Sequence, residues 1–309
     1  MQRAMKMVLL AAAAGLCGSA GQVSDRGNSY GPEPRTMVRL DANLVLVPVT
    51  VTDNRGRLVP NLKQTDFTLL EEKHPQDILS FSRENAPVSL GIVVDLSGSM
   101  VNKIEKTHIA VNEFLKNLEP DDEEFLVTFA DGPELRLPFT SDPSGIYDAL
   151  LGATPHGSTA LFDAVALAIR QMRGAQNQRK VLFLVSDGGD NHSRLTEREL
   201  RRLVEEEDVQ IHAIGIHDAP GSREEMRGPW ILEDLAQMTG GQHHMVSSIT
   251  ELPELAARMS LSLHDRYLLG YRPTPPGPSG AFRKIEVKVM QRKGSNRLSV
   301  YARRGYRMP

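Results

Sequence analysis

The feature that most constrains this chain is an apolar run that ends in a loop of oxygen-bearing side chains. Residues 90–100 read LGIVVDLSGSM. An apolar run of this length, ended by Asp, Ser and Gly, is typical of a buried parallel strand and the loop that leaves it. In an open α/β sheet, ligands bind just beyond the carboxyl ends of such strands. The strand therefore predicts both a parallel sheet and a binding loop at its end.

The loop itself offers a carboxylate and two hydroxyls. Asp95, Ser97 and Ser99 alternate along it, so their side chains can converge on one point. These ligands suit a hard divalent cation such as Mg²⁺, which prefers oxygen. The alternative interpretation is an ordinary turn in which Ser99 caps the following helix.

From residue 88 the sequence alternates between strand and helix patterns. Apolar runs predict six strands, at residues 88–94, 125–129, 135–139, 180–185, 209–216 and 242–246. Helical spacing predicts helices between them, at residues 100–118, 159–172, 197–206, 230–238 and 251–263. This alternation predicts an α/β fold over residues 87–263, with a doubly wound, mostly parallel six-stranded sheet covered by helices on both faces.

Short β segments flank this region on both sides. Residues 38–86 are predicted to form a meander of about three strands, and residues 264–309 three more. Each half is too small to bury a core alone. The two segments are therefore predicted to build one discontinuous β-sandwich domain.

The N-terminus has the pattern of a secretory signal. Arg3 and Lys6 precede an apolar run and then small residues, so residues 1–20 are predicted to be a signal peptide cleaved near Ala20. This predicts an exported protein, periplasmic or secreted. Residues 21–37 are polar and rich in Gly, Pro and Ser, and are predicted to be a disordered leader.

The one cysteine of the chain, Cys17, lies inside the predicted signal. It follows Leu16, where a lipoprotein signal prefers a small residue, so anchoring through a lipid is the less favoured alternative. A chain cleaved near Ala20 has no cysteine for a disulfide. After the signal, no apolar run approaches about 18 residues, so no transmembrane segment is predicted in the mature chain.

Charge and motifs exclude several function classes. The chain has 36 basic and 39 acidic residues and no basic block, which argues against a nucleic-acid partner. No H-E-x-x-H, G-x-S-x-G or phosphate-loop spacing is present. The histidine pair His243 and His244 would point to opposite faces of a strand, and His212 and His217 would also diverge, so structural roles are expected for them. The chain is predicted not to be an enzyme.

Three stretches fall at predicted strand ends on one side of the sheet: the Asp95 loop, the loop with Thr159, and the loop with Asp187. In this order they resemble the metal-ion-dependent adhesion site of the von Willebrand factor A family, which has D-x-S-x-S, then a Thr, then an Asp. The resemblance covers about residues 87–263. It implies a Mg²⁺ site, with Mn²⁺ or Ca²⁺ as alternatives. The implied metal ligands are Asp95, Ser97, Ser99, Thr159 and Asp187, the hydroxyls binding directly and the carboxylates directly or through water.

The resemblance also implies a function. A partner protein would supply a carboxylate that completes the coordination shell of the ion, making this chain an exported adhesion or assembly module. The flanking motifs at residues 66–67, 283–285 and 304–306 resemble an exported bacterial branch of the family. The alternative is a structural envelope protein with a non-essential metal site. Asp190, one residue outside the pattern, is interpreted as a solvated loop charge.

Overall fold

The structure, a computed structural model, describes residues 44–216, 223–248, 250–274, 278–291 and 297–308. The predicted signal peptide, the leader and Cys17 lie outside the described residues. No helix in the described part of the chain has the length and apolar character needed to cross a bilayer.

The secondary structure follows the alternation that the sequence predicts. In chain order the strands are β1 (Val45–Thr52), β2 (Phe67–Glu71), β3 (His74–Gln76), β4 (Ile78–Asn85), β5 (Val88–Asp95), β6 (Glu123–Phe129), β7 (Pro133–Thr140), β8 (Arg179–Ser186), β9 (Gln210–Ile216), β10 (His243–Val246), β11 (Asp265–Tyr271), β12 (Phe282–Val289), β13 (Ser299–Ala302) and β14 (Gly305–Arg307). The helices are α1 (Ile104–Leu115), α2 (Pro143–Leu151), α3 (Leu161–Gln171), α4 (Glu197–Glu206), α5 (Arg223–Thr239) and α6 (Leu252–Leu261).

The central sheet has the strand order β10-β9-β8-β5-β6-β7. Its neighbouring strands are parallel except for β7, which runs antiparallel to β6. The chain winds outward from β5 to β7 and then returns to wind from β8 to β10. The order therefore reverses between β5 and β8, the point at which open α/β sheets generally form a crevice beyond the carboxyl ends of their strands. The predicted fold class is confirmed.

Each face of the central sheet is covered by its own set of helices. On one face, apolar residues of β5 and β8 pack with Phe114 of α1, Ile146 of α2 and Met259 of α6. On the other face, Val165 of α3 and Leu232 of α5 pack against the sheet, together with residues of α4. Because β5 and β8 are buried on both faces, their sequences read as continuous apolar runs.

The ends of the described chain form two four-stranded antiparallel sheets, in the orders β13-β1-β11-β4 and β14-β12-β2-β3. Each sheet combines strands from before and after the central sheet. For example, β1 pairs with β11 and β13, and β2 pairs with β12. One apolar cluster joins both sheets; it includes Val47, Leu69, Tyr267, Ile285 and Tyr306. The two terminal segments thus share a core, while the exact domain boundaries remain predictions.

The predicted meander before β5 is wrong in its detail. The segment has four strands, and β1 and β4 are separated in their sheet by β11, while β2 and β3 form a hairpin in the other sheet. β3 is only three residues long and contains Pro75, so its pattern is too short to read. The hairpin turns at Glu72 and Lys73, which have positive φ angles of 48° and 69° without being glycine.

The sequence interpretation also missed two elements, α2 and β14. Helix α2 has clear start signals, because Asp142 accepts a hydrogen bond from Ser144 N at 3.1 Å and Pro143 occupies the first turn. β14 is three residues long and has too few positions to show alternation.

Candidate metal centre

The first loop of the candidate site is shaped by Asp95, the last residue of β5. Its side chain is fully buried. One carboxylate oxygen accepts a hydrogen bond from Ser97 N at 2.8 Å, which closes a tight turn. The other accepts from Ser186 Oγ at 2.6 Å, so the end of β5 is tied to the end of β8. Asp95 thus lies where the strand order reverses.

The two serines of this loop lie side by side. Ser97 Oγ is 3.0 Å from Ser99 Oγ. Ser97 is buried, whereas Ser99 is exposed. The pair therefore leads from the buried carboxylate of Asp95 towards solvent.

The second loop places Thr159 beside the third. The buried Thr159 donates its backbone N–H to Asn191 Oδ1 at 2.9 Å. Its carbonyl accepts from the backbone N–H groups of Asn191 and His192 at 3.0 and 3.1 Å. The second loop also contacts the first, because Gly98 N donates to Gly157 O at 3.0 Å. Backbone hydrogen bonds thus join all three loops.

Gly157 is required by the way the second loop turns. Its φ angle is +68°, and a Cβ there would lie 2.5 Å from an oxygen of the Asp131 carboxylate. That carboxylate accepts a hydrogen bond from Ser158 N at 2.8 Å, which lowers the pKa of Asp131. A larger residue at 157 would push this loop away from Asp131.

The third loop carries Asp187, which is buried and forms an ion pair. Its Oδ2 lies 2.9 Å from Lys103 Nζ, and the two side chains are 3% and 7% exposed. The adjacent Gly188 has a φ angle of +83°, and a Cβ there would lie 2.4 Å from the carbonyl oxygen of Gly228. Close packing against the Gly228 backbone therefore fixes the path of the chain after Asp187.

The electrostatics of the site are those of two neighbouring buried carboxylates. Burial raises the pKa of Asp95 to about 7, and the negative charge of Asp187 adds to that rise. Hydrogen bonds from Ser186 and Ser97 oppose it. A cation that approaches such a carboxyl group stabilises its charged form and thereby lowers its pKa.

The structure thus brings all five predicted ligands to one edge of the sheet, on three connected loops. No group of three or more His, Cys, Asp or Glu side chains among the described residues is arranged to hold a metal. A cation at this edge would therefore depend on the hydroxyl oxygens of Ser97, Ser99 and Thr159 as well as on the carboxylates.

Four residues that support the site were not predicted from the sequence to belong to it: Lys103, Asp131, Ser186 and Asn191. Lys103 could have been identified from the sequence. It directly precedes α1, where a positive charge is unfavourable because of the helix dipole, so it indicates an acidic partner elsewhere in the fold. The other three act through contacts between loops that are distant in sequence.

Asp190 is not the solvated charge that the sequence suggests. It is half-buried, and its Oδ2 accepts hydrogen bonds from Phe162 N at 3.0 Å and Ser193 Oγ at 2.6 Å. It thereby caps the start of α3.

Three of the four histidines considered in the sequence, His212, His243 and His244, lie on strands of the central sheet. His243 and His244 are neighbours on β10, aligned with Ala213 and Ile214 of β9. Burial lowers the pKa of His244 to about 4 and that of His212 to about 3, which keeps both rings neutral at pH 7. His217 lies outside the described residues.

Comparison with known proteins gives a family match for part of the chain. Residues 90–189 match the family model of the von Willebrand factor type A domain. No curated protein matches the sequence. Residues 90–189 therefore belong to the von Willebrand factor type A domain family, as the resemblance predicted. Domains of this class generally serve as protein-binding, adhesion or assembly modules rather than as enzymes.

Several solved structures are similar, all at low sequence identity. A von Willebrand factor type A protein from Catenulispora acidiphila is 14% identical over 87% of this chain and 75% of its own, with a TM-score of 0.49. BatB from Bacteroides thetaiotaomicron is 18% identical over 57% and 98%, with a TM-score of 0.45. The von Willebrand factor domain of the type V pili tip protein Mfa5 from Porphyromonas gingivalis is 13% identical over 58% and 97%, with a TM-score of 0.47.

Proposed function

We propose that this chain is an exported bacterial protein-binding module whose three-loop edge holds a divalent cation and, through it, an acidic residue of a partner protein. The observation that carries the proposal is the joining of the three loops by hydrogen bonds at the point where the strand order reverses. The signal pattern of residues 1–20 supports export.

The donor set fits a hard cation. It consists of two carboxylates and three hydroxyls, all oxygen, with Mg²⁺ favoured and Mn²⁺ or Ca²⁺ as alternatives. Asp95 and Asp187 would offset the charge of the ion, while Ser97, Ser99 and Thr159 would hold it. Ser99 is exposed, so a partner carboxylate could approach from its side. The bound ion would add a directional contact between the carboxylates of the site and the carboxylate of the partner, which would otherwise repel each other.

Calorimetry on the chain from residue 21 onward tests metal binding directly. We expect weak binding of Mg²⁺, Mn²⁺ or Ca²⁺. Asp95→Ala and Asp187→Ala should each weaken it by about a hundredfold, because each removes a full charge next to the ion, and Ser99→Ala by about tenfold or less. No heat of binding at millimolar metal, from a folded protein, would refute the metal site.

Partner capture tests the function. The wild type, Thr159→Ala and the wild type with EDTA are compared as baits for exported proteins. We expect capture by the wild type alone, because metal binding and partner binding are linked. Thr68→Ala is the matched control, since Thr68 is exposed on β2, outside the central sheet, and should capture normally. Equal capture in all arms would show that the edge is not the binding surface.

One observation favours a second candidate, a structural envelope protein in which the site needs no metal. The Lys103 ammonium already lies on Asp187 and balances one of the two carboxylate charges. The calorimetry described above separates the two candidates.

A further inference from the structure

Lys103 is a buried charge at the candidate site that the proposed function leaves unexplained. Its side chain is 7% exposed, and its Nζ lies 2.9 Å from Asp187 Oδ2. Lysine is almost never buried to this extent unless it is paired, because desolvation of the ammonium is costly. The Asp187 carboxylate, itself 3% exposed, is the partner that keeps this ammonium inside the protein.

The position of Lys103 in the chain gives it no other reason to be charged. It is the residue before α1, and its carbonyl accepts hydrogen bonds from Thr107 N at 3.0 Å and Thr107 Oγ1 at 3.2 Å. These contacts are made by the backbone and would persist with any side chain. A positive charge at the start of a helix is electrostatically unfavourable. The charge is therefore stabilised by the third loop and not by its own helix.

We propose that Lys103 is an internal counter-cation that competes with the divalent ion for the Asp187 carboxylate. The inference rests on the proposed function, because it assumes that an ion binds there. The ammonium contacts one oxygen of Asp187, so an ion that needs that oxygen must displace it. The measured metal affinity is then set by how much more strongly Asp187 binds the divalent ion than the Lys103 ammonium. When free metal is scarce, the ammonium balances the charge of Asp187.

Removing the positive charge tests the competition. Lys103→Met keeps the length and apolar stem of the side chain but leaves Asp187 without a cation. We expect calorimetry to show Mn²⁺ and Mg²⁺ binding about tenfold tighter or more, because the ion no longer has to displace the ammonium. Lys116→Met is the matched control, since Lys116 directly follows α1 and its side chain is 56% exposed. It should bind metal within about twofold of the wild type.

The wild type gives an independent readout that does not depend on how Lys103→Met folds. Labelling with an amine-reactive reagent, followed by mass spectrometry, reports the exposure of each lysine. Lys103 should label slowly in EDTA and severalfold faster in saturating Mn²⁺, because the displaced ammonium moves into water. Lys116 should label at the same rate in both conditions.

The outcomes separate this inference from the proposed function. Metal binding by the wild type with equal or weaker binding by Lys103→Met, or unchanged Lys103 labelling at saturating Mn²⁺, would overturn the competition and leave the metal site intact. Metal binding by Lys103→Met but not by the wild type would support the competition and overturn the metal-dependent function of the natural chain. Binding by neither folded protein would overturn both.

Discussion

Buried carboxylates occur in two clusters that are built in different ways. One cluster lies between the two outer sheets, and the other lies at the edge of the central sheet. In the first, Glu71 is fully buried and accepts hydrogen bonds from Tyr271 and Tyr306 hydroxyls at 2.9 and 2.8 Å, while the Arg283 guanidinium lies 2.7 Å from its other oxygen. All four residues lie on strands. This closed cluster is therefore built entirely from residues of strands.

At the edge of the central sheet, the carboxylates have different partners. Asp95 accepts hydrogen bonds from a backbone N–H and a hydroxyl, and Asp187 forms an ion pair with Lys103. The hydroxyls of Ser97 and Ser99 follow β5 on the first loop, and that of Ser99 is exposed. A hydroxyl keeps free acceptor capacity after it donates, whereas the guanidinium beside Glu71 has none. We therefore expect a buried carboxylate to be structural when strands supply its partners, and to be available for binding when loop hydroxyls surround it.

The largest expected effect comes from breaking the outer sheets themselves. Deleting residues 284–309 removes β13 beside β1 and most of β12 beside β2. We expect β1 to β4 to become sensitive to protease and the chain to aggregate, because unpaired strand edges and apolar faces are exposed. Residues 87–263 should survive as a resistant fragment.

Limited proteolysis with mass spectrometry of the cleaved sites measures this, with the full-length chain as the control. A soluble truncated chain with β1 to β4 still protected would show that the outer sheets do not depend on the C-terminal strands.

A smaller effect tests the comparison of the two clusters directly. Glu71→Ala leaves the Arg283 charge without its carboxylate and should lower the free energy of unfolding by about 3–5 kcal/mol. Asp95→Asn removes a buried charge but keeps an oxygen for Ser97 N, and should lower it by about 1 kcal/mol or less. Both are measured by urea unfolding in EDTA, so that bound metal does not contribute.

Glu286→Ala is the control for the first variant, because the Glu286 side chain is 57% exposed beside Lys288 on the surface of β12. It should change stability by less than about 0.5 kcal/mol. Equal losses from Glu71→Ala and Asp95→Asn would remove the distinction between a closed cluster and an open one.

The sequence predicts the central sheet well because each of its strands has a pattern that can be recognised from neighbouring residues alone. The apolar runs of β5 and β8 are continuous, and the helices between strands have helical spacing, so the order of elements follows without knowledge of distant contacts. The outer sheets are harder to predict, because their strands are short and pair across nearly the whole chain. Tyr271 and Glu71, for example, are 200 residues apart.

The same division holds at the candidate site. Asp95, Ser97 and Ser99 were found because the motif fixes their spacing along one loop. Lys103 and Asn191 were missed because their roles appear only when the loops meet; Lys103 and Asp187 are 84 residues apart. A motif names the side chains that a site needs, but the groups that balance their charge depend on the fold.

Glu124, near the start of β6, is a third kind of buried carboxylate and extends the comparison. It is 1% exposed, and its Oε1 has no hydrogen-bond partner in the described part of the chain. Burial raises the pKa of Glu124 to about 7, and the negative charges of Asp122, Asp142 and Glu123 add to the rise. In the described part of the chain, its Oε1 thus lacks the hydrogen-bond partners that Glu71 and Asp95 have.

The pH dependence of stability should therefore carry a signature of Glu124. Between its ordinary pKa of 4.5 and about 7, the native state holds a proton that the unfolded state has released. Its contribution to the free energy of unfolding accordingly falls as pH rises through this window, by at most about 1.4 kcal/mol per pH unit. Glu124→Gln removes this loss, so it should make the pH profile less steep, with the part due to Asp95 remaining, and stabilise the protein at pH 8 by on the order of 1 kcal/mol. Urea unfolding from pH 4.5 to 8 measures the difference from the wild type.

Glu134→Gln is the control, since its side chain is 62% exposed on the neighbouring β7 and should leave the profile unchanged. Parallel profiles for the wild type and Glu124→Gln would mean that Glu124 is as well compensated as Glu71.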